Sequence, residues 1–191
     1  AIHPEHHPEH HPEHHPEHPS GNPPDATSVF TVDDVTVITP QLGGVAATDG
    51  RVVVDDGSTP PIAGATIRLD ANSGPGAARN AGRALATTPL VAFVDADVDL
   101  LADVGIGCWL TSLLPHFDDP RVALVAPRVV GEPGSPLDLG NEPARIRAGT
   151  RVGYVPAAAI VVRADALDAV GGFDPALRFG EDVDFVWRLD Q

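Results

Sequence analysis

Three observations predict an α/β fold with a mostly parallel sheet flanked by helices. Short apolar runs rich in β-branched residues alternate with stretches of helical periodicity, the pattern of a sheet covered on both faces. Several runs end in polar or acidic residues, as at Thr39-Pro40, Asp55-Asp56 and Asp95-Ala96-Asp97. The chain has 191 residues, enough for one domain with a sizeable core. Ligands in such sheets bind outside the carboxyl ends of the strands, so these ends are where function is sought.

A first strand is expected at 35–38, a second at 51–54 and a short third at 65–69. Asn72-Ser73-Gly74-Pro75-Gly76 then leads into a helix over 77–86, with Ala78, Ala81 and Leu85 on one face. Residues 90–94, Leu-Val-Ala-Phe-Val, read as a buried parallel strand. A second helix is expected over 106–117, with Trp109, Leu110, Leu113, Leu114 and Phe117 as its buried stripe. Another strand follows at 122–126. Residues 131–150, rich in Gly, Pro and Arg, lack periodicity and read as a loop. The last elements expected are a strand at 157–162, a short helix at 165–170 ended by Gly171-Gly172, and a helix at 181–189. One connection is anomalous. Parallel strands are normally joined by a crossover containing a helix, whereas residues 41–50 are few and carry three Gly. A helix is therefore expected to be missing near position 40.

Composition narrows the function. His3 to His18 repeats His-Pro-Glu-His four times with nothing apolar to bury, so residues 1–18 read as a disordered affinity-tag-like tract. Residues 19–34 read as a linker, leaving 35–191 as the folded domain. The net charge is −15, and the four Glu of the repeat account for part of it, leaving −11. That disfavours nucleic acid and anionic membranes as partners, because both require basic patches. It suits an enzyme that brings a cation to an anionic substrate. The sequence has no Lys and no Met, which suggests a GC-rich coding bias and a trimmed or fragmentary chain. Cys108 is alone, so no disulfide framework is expected and a reducing, cytoplasmic location is. No apolar run approaches the ~18 residues of a membrane span.

Asp95 and Asp97 stand at i, i+2 after a strand, and strand side chains two apart share a face. Such a pair can hold a hard divalent cation through oxygen ligands while leaving positions open for substrate phosphate. It can equally be a turn former. Asp55-Asp56-Gly57-Ser58 reads either as a capped turn or as a site where Asp56 accepts a hydrogen bond from a nucleobase or ribose. Gly74 and Gly76 either let backbone approach a diphosphate or make a tight helix start. Arg79 and Asn80 follow in that helix, as structural or ligand-contacting groups. Glu181-Asp182 either complements a helix dipole or carries a catalytic carboxylate.

Taken together, Val-Val-Val-Asp-Asp-Gly-Ser, Asn-x-Gly-x-x-x-Ala-Arg-Asn-x-Gly, Phe-Val-Asp-Ala-Asp, Gly-Gly-Phe-Asp and Gly-Glu-Asp-Val-Asp-Phe-x-Trp-Arg-Leu occur in that order. Over residues 35–191 the chain resembles glycosyltransferase family 2, inverting enzymes of the Rossmann-like GT-A fold. The resemblance implies a nucleotide-sugar donor, a Mn²⁺ or Mg²⁺ ion, and transfer of a hexose, with glucose from UDP-glucose expected, to a hydroxyl acceptor. Pro40 would lie beside the base and Asp56 would contact it. Asp97 would be the principal metal ligand, Asp95 would contact ribose or metal-bound water, and Asp182 would be the general base. Asn141 to Arg147 and Tyr154-Val155-Pro156-Ala157-Ala158-Ala159 are similar to the mycofactocin-biosynthesis glycosyltransferases, which implies a peptide-derived acceptor. Small-molecule and glycan acceptors stay open. Arg145, Arg147 and Arg151 read either as a lid over the donor phosphates or as a solvated loop. Family members continue past the Glu-Asp helix, so the domain is read as truncated at its C-terminus. Two alternatives remain: a nucleotide-sugar or metal-binding fragment without turnover, and a sugar-phosphate nucleotidyltransferase. The latter normally shows a Gly-rich basic signature after the first strand, and residues 40–44 hold no basic residue.

Overall fold

A computed structural model of the chain describes residues 28–47, 49–99, 105–127 and 153–191. Six strands form one sheet: β1 (Val35–Gln41), β2 (Val52–Asp55), β3 (Ile67–Arg68), β4 (Leu90–Val94), β5 (Leu124–Val125) and β6 (Ala159–Arg163). Their spatial order is β3-β2-β1-β4-β6-β5. The pairs β2–β3, β1–β2 and β1–β4 are parallel, while β6 runs antiparallel to both β4 and β5. Only β6 is reversed, so the mostly parallel expectation holds. The helices are α1 (Pro75–Arg83), α2 (Gly105–Leu113), α3 (Ala164–Ala169) and α4 (Glu181–Leu189). A 3-10 turn, Leu114–Asp118, continues α2 because Pro115 lacks the N–H that an α-helical turn requires. The 131–150 loop and the three arginines considered for a lid lie outside the described residues, as does the His-Pro-Glu-His tract.

Side-chain alternation along the strands sorts the core into two layers. Val91 and Phe93 of β4, Ile38 of β1, and Ile160 and Val162 of β6 face the layer holding Ala78 of α1, Leu167 of α3, and Phe185 and Val186 of α4. Leu90, Ala92, Val94, Val37 and Val161 face Trp109, Leu110, Leu113, Leu114 and Phe117. The stripe read from the sequence is thus the buried stripe. Phe173 anchors the first layer, stacked on Phe185 at 4.3 Å between centroids and edge-on to Phe93 at 5.3 Å. Such pairs add about 0.5–1.5 kcal/mol each beyond the area they bury. Helix α1 lies so close on the sheet that a Cβ at Gly82 would sit 2.3 Å from Ile38 Cγ2.

The short connection between β1 and β2 carries no helix among its described residues, yet the strands pair in parallel from Ile38↔Val52 to Gln41↔Asp55. The chain must return only along a four-residue strand, roughly 13 Å at 3.3 Å per residue, which ten extended residues span easily. Ala46 covers Val53 together with Ile62, in the position a crossover helix would cover. The segment expected as linker is also partly docked. Ser28 Oγ and the Val29 N–H both donate to Asp118 Oδ1, at 3.0 and 2.9 Å, and Phe30 meets Phe117 edge-on.

Candidate active site

The carboxyl ends of β1, β2 and β4 lie side by side, and the starts of α1 and α4 join them. Pro40 lies inside β1, buried, opposite Val54 in register, rather than after the strand's end. A proline is tolerated in this central strand because β4 pairs only with Val35 to Ile38, so Pro40 lies beyond the two-sided ladder.

The two aspartates after β2 differ in partner. Asp55 is fully buried and accepts from the N–H groups of Ser58 (2.8 Å) and Ile62 (3.1 Å) and from Arg68 Nη1 (2.5 Å). Burial alone would raise its carboxyl, but these donors outweigh it and hold the group far below the usual carboxylate range. Asp56 is also buried, and its two oxygens accept the N–H groups of Ser73 (2.7 Å) and Gly74 (2.9 Å). Asp56 therefore moulds the start of α1. Those two amides are committed to it, which favours the tight helix start over the diphosphate cradle at Gly74.

Asp95 and Asp97 follow β4, which ends at Val94. They sit on a turn closed by the Val98 N–H on Asp95 C=O at 3.2 Å, not on the pleat, so the same-face argument from strand alternation does not apply. The turn separates them: Asp95 is half-buried and Asp97 exposed. Arg79, 2% exposed in α1, explains the difference. Its Nη2 donates to Asp95 Oδ1 at 2.7 Å and its Nη1 to Glu181 Oε1 at 2.8 Å, while its guanidinium lies over the Phe173 ring. Burial pushes the Asp95 carboxyl up, Arg79 works against this, and the charges of Asp97 and Glu181 add to the rise. Asn80, the next residue, reads the Phe173 backbone, donating to its C=O at 2.7 Å and accepting from its N–H at 3.0 Å.

Helix α4 starts at Gly180, whose φ of 73° suits glycine, and carries Glu181, Asp182 and Asp184 in its first turn. Asp182 is half-buried. Its Oδ1 accepts the Val183 N–H at 2.8 Å and its Oδ2 accepts the Tyr154 phenol at 3.0 Å. Burial, that hydrogen bond and the charges of Asp182 and Glu181 push the Tyr154 phenol up to about 12. A cavity of about 640 Å³ opens here, lined by Asn72, Gly74, Pro75, Arg178 to Gly180, Glu181 and Asp182. Arg178 closes one wall through Asn72 at 3.0 Å.

Of the residues expected from sequence, Asp182 lines this cavity, and Asp95 reaches it through Arg79 and Glu181. Pro40, Asp56 and Asp97 occupy neighbouring loop and strand ends without lining it. Arg79 as a two-carboxylate bridge and Tyr154 as a partner of Asp182 escaped the sequence reading, because both depend on contacts between distant segments. Among the described residues, no three His, Cys, Asp or Glu side chains converge as a ready metal cage. The carboxylates nearest the end of β4 differ in how open they are, with Asp97 exposed and Asp95 half-buried against Arg79. The charges of Asp97 and Glu181 both act on Asp95, Arg79 pairs with Asp95 and Glu181, and Asp97 carries its carboxylate at the surface.

Residues 51–142 match the family model described as Glycosyl transferase family 2. Pre-mycofactocin glycosyltransferases of two Mycobacterium tuberculosis strains, CDC 1551 / Oshkosh and ATCC 25618 / H37Rv, are each 46% identical over 160 residues, covering 72% of this chain and 33% of the relative. The chain thus spans about a third of the length of the curated relatives it matches. S. aureus TarS 1-349 in complex with UDP superposes with a TM-score of 0.56 at 21% identity, over 80% of this chain and 53% of that one. The UDP-GlcNAc complex of the same protein gives 0.57 at 20% identity, over 81% and 52%. At those identities the likeness is one of fold, and the fold is GT-A. With the Asp-x-Asp turn after β4 and the Glu-Asp start of α4 at the same end of the sheet, the chain belongs to glycosyltransferase family 2.

Proposed function

We propose that the chain carries the donor site and general base of an inverting glycosyltransferase, which moves a hexose from a nucleoside-diphosphate sugar to a hydroxyl acceptor. Glucose from UDP-glucose is the donor proposed, and the 46% identical relatives support proposing an acceptor of the pre-mycofactocin kind. The observation that carries the reading is the Arg79 bridge, which ties the carboxylate turn after β4 to the start of α4. The UDP and UDP-GlcNAc complexes of the fold neighbour support a nucleotide-sugar as the donor.

Asp97, exposed, and Asp95, held by Arg79, would hold Mn²⁺ or Mg²⁺. Such an ion supplies charge neutralisation on the departing diphosphate. Asp182 accepts the acceptor's proton as its oxygen attacks C1 from the opposite face. One catalytic carboxylate suffices, because the leaving group needs no proton when its charge is neutralised. Glu181 is excluded from this role by its ion pair with Arg79.

A thermal-shift titration with UDP-glucose, with and without Mn²⁺, combined with UDP release, tests the assignment. Asp97→Ala should abolish Mn²⁺-dependent donor binding. Asp182→Ala should keep that binding and lose transfer. Equal donor affinity in wild type and Asp97→Ala overturns the metal assignment, and transfer by Asp182→Ala overturns the base. A second reading has its own support in the one-third coverage of the relatives: Mn²⁺-dependent binding without UDP release would make the chain a donor-binding unit.

A further inference from the structure

Tyr154 is the chain's single tyrosine. It is 44% exposed, so packing alone gives little reason for an aromatic there. Its phenol is directed at one atom, Asp182 Oδ2, at 3.0 Å, while the other carboxylate oxygen accepts the Val183 N–H at 2.8 Å. An aspartate in the first turn of a helix has several rotamers open to it. Held at both oxygens, Asp182 has one.

We propose that Tyr154 is a positioning residue for the acceptor-activating carboxylate, fixing Asp182 so that an open lone pair of Oδ2 meets the acceptor hydroxyl. The proposal rests on the reading of Asp182 as general base. A carboxylate oxygen accepts two hydrogen bonds, so the phenol occupies one place and leaves one. In the step, the acceptor O–H bond breaks and its proton passes to Oδ2. The acceptor oxygen bonds to C1, and the bond from C1 to the diphosphate oxygen breaks with its electron pair leaving on the diphosphate. Tyr154 keeps its proton throughout. Its elevated phenol, pushed up to about 12, accords with a permanent donor. A base oriented by a third group is the general arrangement of activated nucleophiles. Arg79 serves the donor side in parallel, so the two carboxylate positions are fixed by different elements.

The test uses the whole chain with UDP-glucose and Mn²⁺, water serving as the acceptor, and UDP release as the rate. Tyr154→Phe keeps the ring and removes the hydroxyl. Its kcat should fall about tenfold or more, as misplacement of a reacting group does, with the KM for UDP-glucose unchanged. An unchanged kcat, or a raised donor KM at constant kcat, overturns the positioning role. A second measurement needs no turnover: the single tyrosine is labelled with carbon-13 at Cζ and its resonance compared between wild type and Asp182→Asn. A shifted resonance is expected; an unmoved one removes the contact and the proposal with it. Failure of the two readings is distinguishable. UDP release by Asp182→Asn overturns the base itself, whereas loss in Asp182→Asn with full activity in Tyr154→Phe overturns the tyrosine alone.

Discussion

Replacing Arg79 with Met removes the guanidinium that bridges Asp95 and Glu181 while keeping a stem to pack on Phe173. The two carboxylates it would strand differ in exposure, 31% for the Asp95 side chain and 10% for Glu181. Removing one partner of a buried ion pair costs about 3–5 kcal/mol. Solvent at Asp95 screens part of that, which puts the expected loss near the lower end, about 3 kcal/mol or roughly a hundredfold in the folded-to-unfolded ratio. The loss should depend on pH. Burial already pushes the Asp95 carboxyl up, and Arg79 is the group opposing that rise. Without Arg79 the folded-state value climbs further above the unfolded one. A carboxyl raised in this way stabilises the fold at low pH, where it is neutral in both states, and that contribution is lost as pH rises through the folded value. The deficit of Arg79→Met should therefore be larger near pH 7.5 than near pH 5, about one unit above the free carboxylate range. Urea unfolding of both proteins at the two pH values, with equal m, measures it. A loss below about 1 kcal/mol at neutral pH, or an equal loss at both, would refute Arg79 as the shared counter-ion.

Two further outcomes follow from the fold. Gly82→Ala gains about 1 kcal/mol in helix propensity, but its Cβ meets Ile38 Cγ2 at 2.3 Å and Val54 Cγ2 at 3.2 Å. Overpacking of this kind costs about 1–3 kcal/mol, so a thermal melt should show a lower Tm; a higher one would mean that α1 does not press on β1 this closely. Acid sensitivity is the other. The donors on Asp55 hold its carboxyl far down against its burial, and Arg121 holds Asp119 at about 2. A depressed carboxyl stabilises the fold above its unfolded value and loses that contribution as pH falls through the folded one. Stability should decline below about pH 4, and Asp55→Asn should flatten that decline in a series of melts; an unchanged slope would remove Asp55 from the account.

Periodicity made most elements legible. Residues 90–94 and 181–189 were bounded as the structure has them, because an apolar run and a Glu-Asp start after Gly180 are unambiguous signals. The edges of β3 and β5 were overextended, since each pairs on one side through only two residues. The turn at Asp95 to Asp97 is not legible in the sequence, because nothing local distinguishes a strand's last residue from a turn's first. Proline in β1 was read as an end, whereas the missing neighbour beyond Ile38 lets the strand run on to Gln41. At the site, residue types were legible and partners were not. Asp56 was identified as important, yet its bonds to Ser73 and Gly74 join residues 17 and 18 apart. Tyr154 and Asp182 are 28 apart, and Arg79 and Glu181 are 102 apart. No spacing rule reaches that far.

The Asn-x-Gly-x-x-x-Ala-Arg-Asn-x-Gly stretch shows what those long-range contacts accomplish together. Asn72 receives Arg178 from the loop before α4, and the Ser73 and Gly74 amides are held by Asp56 after β2. A Cβ at Gly76 would lie 3.2 Å from Phe173 and 3.4 Å from Glu181, so glycine lets the α4 side close on the helix. Arg79 then reaches forward to Asp95 and across to Glu181, Asn80 fixes the Phe173 backbone, and Gly82 lets the helix settle on Ile38. Between them these positions contact the β2 end, the β4 end, the Phe173 backbone, the α4 start and β1. Taken singly they could pass for a phosphate loop or a capping pattern; in the fold they form one helix that registers the β2 end, the β4 end and the α4 start against each other. Helix α1 therefore registers the Asp95 turn against the start of α4, while Tyr154 holds Asp182 itself, so a change at Arg79 disturbs two elements at once and a change at Tyr154 disturbs one.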